Sequence, residues 1–293
     1  MRIPGTKPAV RLPKAPDLKA MQDFLATRTA RQVKSATEKA QTLIYDAWEK
    51  PTPRAQAVHA HKALAASPLC ADAFNLLAGH AKSREKALDL YQRGMEAAAL
   101  LLGPEGFEEY GGEFWGWLES RPYMRARAGV ALTLDKLGRG EEAVGHLQAM
   151  LKLNPNDNQG MRFALLGVLL NLDAFEAAKA LIGEYPGDGS LCWSYGRALI
   201  GFQEGRQDEA ETLESVRDAL IANSHVERIL AGKAALVIGR SPCVVSGSAQ
   251  EASDYVLTHG RAWRKLPGAV DWLIAAASAV KPESSKASSP GSQ

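Results

Sequence analysis

The chain has 293 residues, 46% of them hydrophobic and 23% charged, with a formal net charge of +2 at pH 7. That is enough apolar material for one extended repeat domain or for two ordinary domains, without a disulfide scaffold. The three cysteines, Cys70, Cys192 and Cys243, lie far apart and form no CxxC pair; this suits a reducing compartment, leaves no zinc-site spacing, and makes each a buried structural thiol or a reactive one.

The first segment is basic. Between Met1 and Lys34 there are eight bases, Arg2, Lys7, Arg11, Lys14, Lys19, Arg28, Arg31 and Lys34, against Asp17 and Asp23. The remainder is mildly acidic, so residues 1–16 read as a flexible basic arm, either simply solvated or able to touch an acidic partner, nucleic acid or lipid headgroups. Met1 to Pro16 carries prolines and bases in place of a secretory apolar stretch. Apolar runs such as Phe163–Leu170 and Ala97–Leu102 are too short to cross a bilayer. A cytoplasmic protein with no transmembrane interaction is the expectation.

From Asp17 onward, helix-forming apolar stretches alternate with short Gly, Pro or Asn breaks, and period-two alternation is scarce. Ala36–Glu49 and Arg54–Ala66 form a first helical pair around Lys50-Pro51-Thr52-Pro53. Ala71–Lys82 and Glu85–Ala98 form a second, with Phe74, Leu77, Ala87, Leu90 and Tyr91 as packing groups. The connection from Gly103 to Arg121 is longer than an inter-helix turn and reads as an insertion. Tyr110-Gly111-Gly112 interrupts the helix, and Phe114, Trp115, Trp117 and Leu118 either cover an apolar surface or wall a groove. Ser120 is placed to cap the next helix, with Pro122 in its first turn.

Met124–Leu137 then reads as a helix, Gly138-Arg139-Gly140 as a turn, and Glu141–Leu153 as a second helix, ended by Asn154-Pro155-Asn156-Asp157. Pro155 cannot continue the hydrogen-bond ladder, whereas Asp157 or Asn158 can accept from free amides of the following helix. With Met124 as first position, Gly138 falls in the turn, small Ala143 where paired helices approach, and Pro155 at the terminal break; Leu134 and Leu147 fill the space around that contact. This segment resembles a tetratricopeptide repeat, a family of 34-residue helix-turn-helix units. Arg127 stands where that family often has an aromatic.

Further units follow in Gln159–Leu170 with Phe175–Gly183, and in Leu191–Phe202 with Gln207–Leu220, the latter carrying Trp193, Tyr195 and Ala210. Beyond Asn223 the pattern loosens. Val226–Ile238, Ser253–Arg261 and Arg261–Leu273, the last divided at Pro267-Gly268, read as irregular helices capping the last repeat. The resemblance implies an all-α, right-handed tetratricopeptide-like superhelix over residues 17–223, with an insertion near 103–121. Residues 224–280 are expected to form a C-terminal helical cap, and the Ser- and Pro-rich 281–293 a flexible tail.

In this family the first helices of successive hairpins line a concave surface that receives a peptide. The resemblance therefore implies a noncatalytic protein-interaction scaffold for a protein or acidic peptide; the residue pattern leads to no expected cofactor or metal. Arg125 and Arg162 approach that surface in successive units, with Gln159 between, and are suited to carboxylates or phosphates. Arg121, Tyr123 and Asn158 complete the candidate ligand-binding set, and Trp115 and Trp117 are candidate aromatic contacts. Intramolecular pairing of the arginines with Glu113, Glu119 or Asp157 is the structural alternative, as are turn satisfaction for Asn154, Asn158 and Gln159 and loop cross-linking for Arg121. The Lys and Asn set with which some members hold a C-terminal carboxylate is replaced here by Ala128, Leu132, Leu166, Tyr195 and Leu199.

Two other classes compete. An enzyme or enzyme accessory subunit would need converging groups, yet His146 near Glu141 and Glu142, His225 after Ser224, and the His59 and His61 pair specify no geometry. There is no HExxH, phosphate-binding glycine motif or nucleophile elbow. A single-stranded nucleic-acid binder could use the N-terminal bases and stack a base on Trp115 or Trp117. No sustained basic run organises such contacts.

Overall fold

A computed structural model of the chain describes residues 13–239 and 244–280. The proposed N-terminal arm up to residue 12, Ser241, Cys243 and the 281–293 tail lie outside the described residues. Within them the fold is all-helical, with fourteen helices and no strand. The chain divides into two compact units, residues 1–161 and 162–293.

The first unit opens with α1 (Leu18–Ala26), α2 (Ala30–Trp48) and α3 (Pro53–Ala66). Sequence chemistry explains their starts. Asp17 accepts from the Ala20 amide, Thr29 and Gln32 make a reciprocal capping box, and Thr52 accepts from the Ala55 amide ahead of Pro53. Then come α4 (Ala71–Gly79), α5 (Arg84–Glu109), α6 (Arg121–Lys136) and α7 (Gly140–Leu153). Helix α5 is broken at Gly103, whose φ of 63° and ψ of 174° only glycine adopts readily. The insertion read from Gly103 therefore begins as a further helical turn, and its irregular part is Tyr110–Ser120.

Hairpins α2–α3, α4–α5 and α6–α7 pack internally, and the first helices also meet, α2 on α4 and α4 on α6. Met21, Ile44, Phe74, Leu90 and Ala97 belong to one apolar cluster; Phe114, Tyr123, Met124 and Met150 belong to another. The α5–α6 approach is unusually close: a Cβ on Gly129 would lie 2.3 Å from Tyr91 Cδ1.

The second unit begins one residue into α8 (Met161–Asn171) and continues with α9 (Phe175–Glu184), α10 (Leu191–Gln203), α11 (Ala210–Asn223), α12 (His225–Leu230), α13 (Ala249–Lys265) and α14 (Ala269–Val280). Its centre holds fully buried Trp193, Tyr195 and Trp263. The helix expected over Val226–Ile238 stops at Leu230. Residues 231–234 turn, and the Val237 amide donates to Ser253 Oγ at 2.9 Å, so this one amide finds its acceptor outside a helix.

One turn recurs in the hairpins α6–α7, α8–α9 and α10–α11. In each, an amide reaches the carbonyl five residues earlier: Arg139 to Leu134, Ala174 to Leu169, and Arg206 to Gly201, all at 2.9 Å. The residue preceding the donor is left-handed, Gly138 (φ 77°), Asp173 (φ 60°) and Gly205 (φ 74°). Asp173 stands where the other two turns have glycine, a place an Asx side chain tolerates.

Candidate functional site

Arg125 on α6 is held by α4. Its Nε and Nη2 donate to Asp72 Oδ1 and Oδ2 at 2.9 and 2.5 Å. Asp72 is 1% exposed, while the Arg125 side chain is 35% exposed. Gln41 Nε2 on α2 donates to Asp72 Oδ2 at 3.2 Å, and Asn75 Nδ2 donates to Asp72 Oδ1 and to the Pro122 carbonyl, each at 3.2 Å. A polar strip thus runs across three successive first helices. The partner is neither Glu113, Glu119 nor Asp157.

Helical spacing extends this strip. Gln41, Tyr45 and Trp48 occupy positions i, i+4 and i+7 of α2, and Arg125, Ala128 and Leu132 occupy i, i+3 and i+7 of α6, so each set shares one helix face. Tyr45 and Trp48 are 57% and 45% exposed, with ring centroids 5.5 Å apart, and Leu132 is 37% exposed. Tyr45 and Trp48, with Gln41 and Asp72, were absent from the sequence-derived set, whereas Leu132 entered it only as a replaced clamp position. Their i, i+4, i+7 pattern was a readable signal, whereas the Asp72 partnership was not.

Of the other candidates in this unit, Arg121, Tyr123 and Asn158 have partners within the chain. Arg121 Nε donates to the Trp115 carbonyl at 2.9 Å and its guanidinium lies 5.4 Å from the Trp115 ring. Tyr123 is buried, edge-on to Phe107 and Phe114, and its hydroxyl accepts from Arg127 Nη1 at 2.8 Å. Asn158 Oδ1 accepts from Asn154 Nδ2 at 3.1 Å, and Gln159 is half-buried. Asp157 Oδ1 accepts from the Met161 amide at 2.7 Å. Ser120 does not cap α6; its hydroxyl donates to the Phe114 and Trp117 carbonyls. Trp115 is half-buried and Trp117 is 44% exposed.

In the second unit Arg162 Nε donates to Asp188 Oδ2 at 2.9 Å, and the guanidinium lies 4.2, 5.3 and 5.8 Å from the rings of Phe163, Tyr185 and Trp193. Burial opposes the Asp188 charge, but hydrogen bonds from Ser190 and Arg162 outweigh it and hold this carboxyl below its usual pKa. An open cleft of about 510 Å³ lies beside this pair, lined by Arg162, Tyr185 and the Pro186–Ser190 loop.

The first helices of this unit are covered by the chain itself. A Cβ on Gly167 of α8 would lie 3.0 Å from His259 Nε2 of α13, and Asn171 Nδ2 donates to the Thr258 carbonyl at 2.8 Å. Tyr195 of α10 packs against Tyr255 and Trp263 at centroid distances of 5.3 and 6.2 Å. Leu166, Tyr195 and Leu199, positions facing the ligand in the resemblance, are fully buried.

The histidines are dispersed. His59 Nδ1 lies 2.9 Å from the Ala55 carbonyl, and the His225 amide donates to Asn223 Oδ1. Burial, with the Arg127 charge adding, lowers the pKa of His146, and burial lowers that of His61. Burial also pushes the Cys70 and Cys192 thiols up to about 12, keeping both protonated. Among the described residues no group of three His, Cys, Asp or Glu is arranged to hold a metal ion, and no helix is long and apolar enough to cross a membrane.

No family model matches the chain. It is 24% identical over 264 residues to a Rattus norvegicus protein named suppressor of tumorigenicity 7 protein-like, covering 79% of this chain and 45% of that relative. The Mus musculus protein of that name gives the same values. Protein ST7 homolog of Drosophila melanogaster is 23% identical over 256 residues, covering 79% of this chain and 47% of the relative. The chain spans about half the length of the curated relatives it matches.

Proposed function

We propose that the chain is a noncatalytic, tetratricopeptide-like scaffold that binds an extended, acidic protein segment along the first helices α2, α4 and α6. The observation that carries this reading is the strip from Gln41 through Asp72 to Arg125, flanked on the same helix faces by exposed Tyr45, Trp48 and Leu132. The recurrent hairpin turn and the α2–α4 and α4–α6 contacts support a right-handed superhelical stack.

The division of labour follows from chemistry. Arg125 gives Asp72 two of its five N–H groups, so a ligand carboxylate can accept from the exposed edge of the guanidinium. Asp72 offsets the Arg125 charge, so this contact orients the ligand more than it attracts it. Exposed Tyr45 and Trp48 supply apolar area with few torsions to freeze, which makes them the principal source of affinity. Arg162, paired with Asp188, is a separate anion contact within its own unit.

A fluorescein-labelled glutamate- and leucine-rich peptide tests the proposal by anisotropy. Trp48→Ala is expected to weaken binding on the order of tenfold. An Arg125→Ala, Asp72→Asn double variant, which removes both charges together, is expected to weaken it about fivefold. Full affinity in both folded variants would overturn the assignment.

A further inference from the structure

We propose that the α5–α6 connection is a second docking surface, built to receive a basic protein segment that carries an apolar side chain. Its backbone is tied down. The Leu153 carbonyl accepts from the Gly112 and Phe114 amides at 3.0 and 3.2 Å, and Asn154 Oδ1 accepts from the Trp115 amide at 3.1 Å. Fully buried Phe114 stacks on Phe107 at 5.3 Å. Ser120 and Arg121 close the far end through the carbonyls already described.

A loop fixed at so many points still leaves Trp117 44% and Leu118 70% exposed. The Trp117 ring is stacked on Tyr110, with centroids 5.0 Å apart and planes 21° apart. A large ring held in place before contact loses little conformational freedom when a partner covers it.

Charge specifies the partner. Glu105, Glu108, Glu109, Glu113 and Glu119 are all exposed, and none has an ion pair among the described residues. No lysine or arginine occurs between Gly103 and Ser120. Glu109 and Glu119 both act on the phenol beneath Trp117: the Tyr110 pKa is raised, first by loss of solvent and then by these two carboxylates. Such a surface repels the acidic segment assigned to the first helices. It attracts lysine and arginine, and a guanidinium laid on the Trp117 ring lies within reach of Glu109 or Glu119, while an aliphatic neighbour covers Leu118.

The probe is a short acetylated peptide of arginine, leucine and glycine, titrated against the full chain by anisotropy, with glutamate replacing arginine in the control. The arginine peptide is expected to bind and the control not to. Glu109→Lys with Glu119→Lys is expected to weaken binding on the order of tenfold, with a shallower salt dependence. Trp117→Ala is expected to weaken it about fivefold at every salt concentration; Leu118→Ser, which leaves the Tyr110 stack in place, is expected to weaken it less. Binding unchanged across these variants, or equal capture of both peptides, overturns the proposal. So does self-association abolished by the same variants, since the occupant would then be a second copy of the chain. Trp48→Ala leaves this titration unaltered, which separates failure here from failure of the first-helix reading.

Discussion

Arg125 reaches across from α6 to Asp72, a carboxylate 1% exposed at the start of α4, 53 residues away in sequence. The pair joins two hairpins and fixes the one arginine of the first-helix strip. Removing the guanidinium strands a buried charge. Arg125→Ala should therefore cost about 2 kcal/mol, less than for a fully buried pair because Arg125 retains solvent contact. Adding Asp72→Asn should restore roughly half of the loss. Urea unfolding of the two single variants and the double variant measures this; strictly additive losses would deny the coupling.

The Gly129 contact gives a second prediction. A methyl there would meet three Tyr91 ring atoms at 2.3 to 2.6 Å, near the ring's attachment and not at a flexible tip. Gly129→Ala gains helix propensity worth up to about 1 kcal/mol. The overlap should reverse that sign and leave a net loss of roughly 1–3 kcal/mol. Combining it with Tyr91→Ala should relieve the overlap, and a stable single variant would show that the helices separate easily.

Ala143 is fully buried at the α6–α7 contact. Ala143→Leu should destabilise the hairpin by roughly 1–3 kcal/mol through overpacking. Thermal unfolding checks it: an unchanged midpoint would mean that the two helices do not meet closely there.

His259 sets a pH dependence. Burial pushes its pKa down to about 4, against the ordinary value of 6.5, while its ring stacks on Tyr255 at 4.6 Å. Between those values the unfolded chain binds a proton that the folded chain does not. Its contribution is complete above pH 6.5 and declines toward pH 4, by about 1.4 kcal/mol per pH unit. His259→Gln should flatten that part of the stability profile. The same slope in wild type and variant would assign the acid sensitivity to other groups.

The hairpins were legible because their signals are local. Met124–Leu137 was expected and α6 runs Arg121–Lys136; Glu141–Leu153 was expected and α7 runs Gly140–Leu153. Gly138 and Pro155 mark those ends in the chain itself. Residues 231–238 were expected to be helical; composition does not reveal the turn at 231–234 or that Ser253 Oγ accepts from the Val237 amide. Ser120 looked like a cap, yet its hydroxyl serves two carbonyls of its own loop. The acids that hold Arg125 and Arg162 stand 53 and 26 residues away, and no short-range pattern announces them. The covering of α8 and α10 by α13 is likewise a long-range event.

Amide hydrogen exchange of the full chain, with and without the acidic peptide, addresses the location of the proposed peptide site most directly. The first-helix account predicts slowed exchange in Tyr45–Trp48, Asn75–Gly79 and Arg125–Leu132, with Tyr110–Ser120 unchanged. Slowed exchange confined to the 185–190 loop, or none on α2 and α6 at saturating peptide, would contradict it.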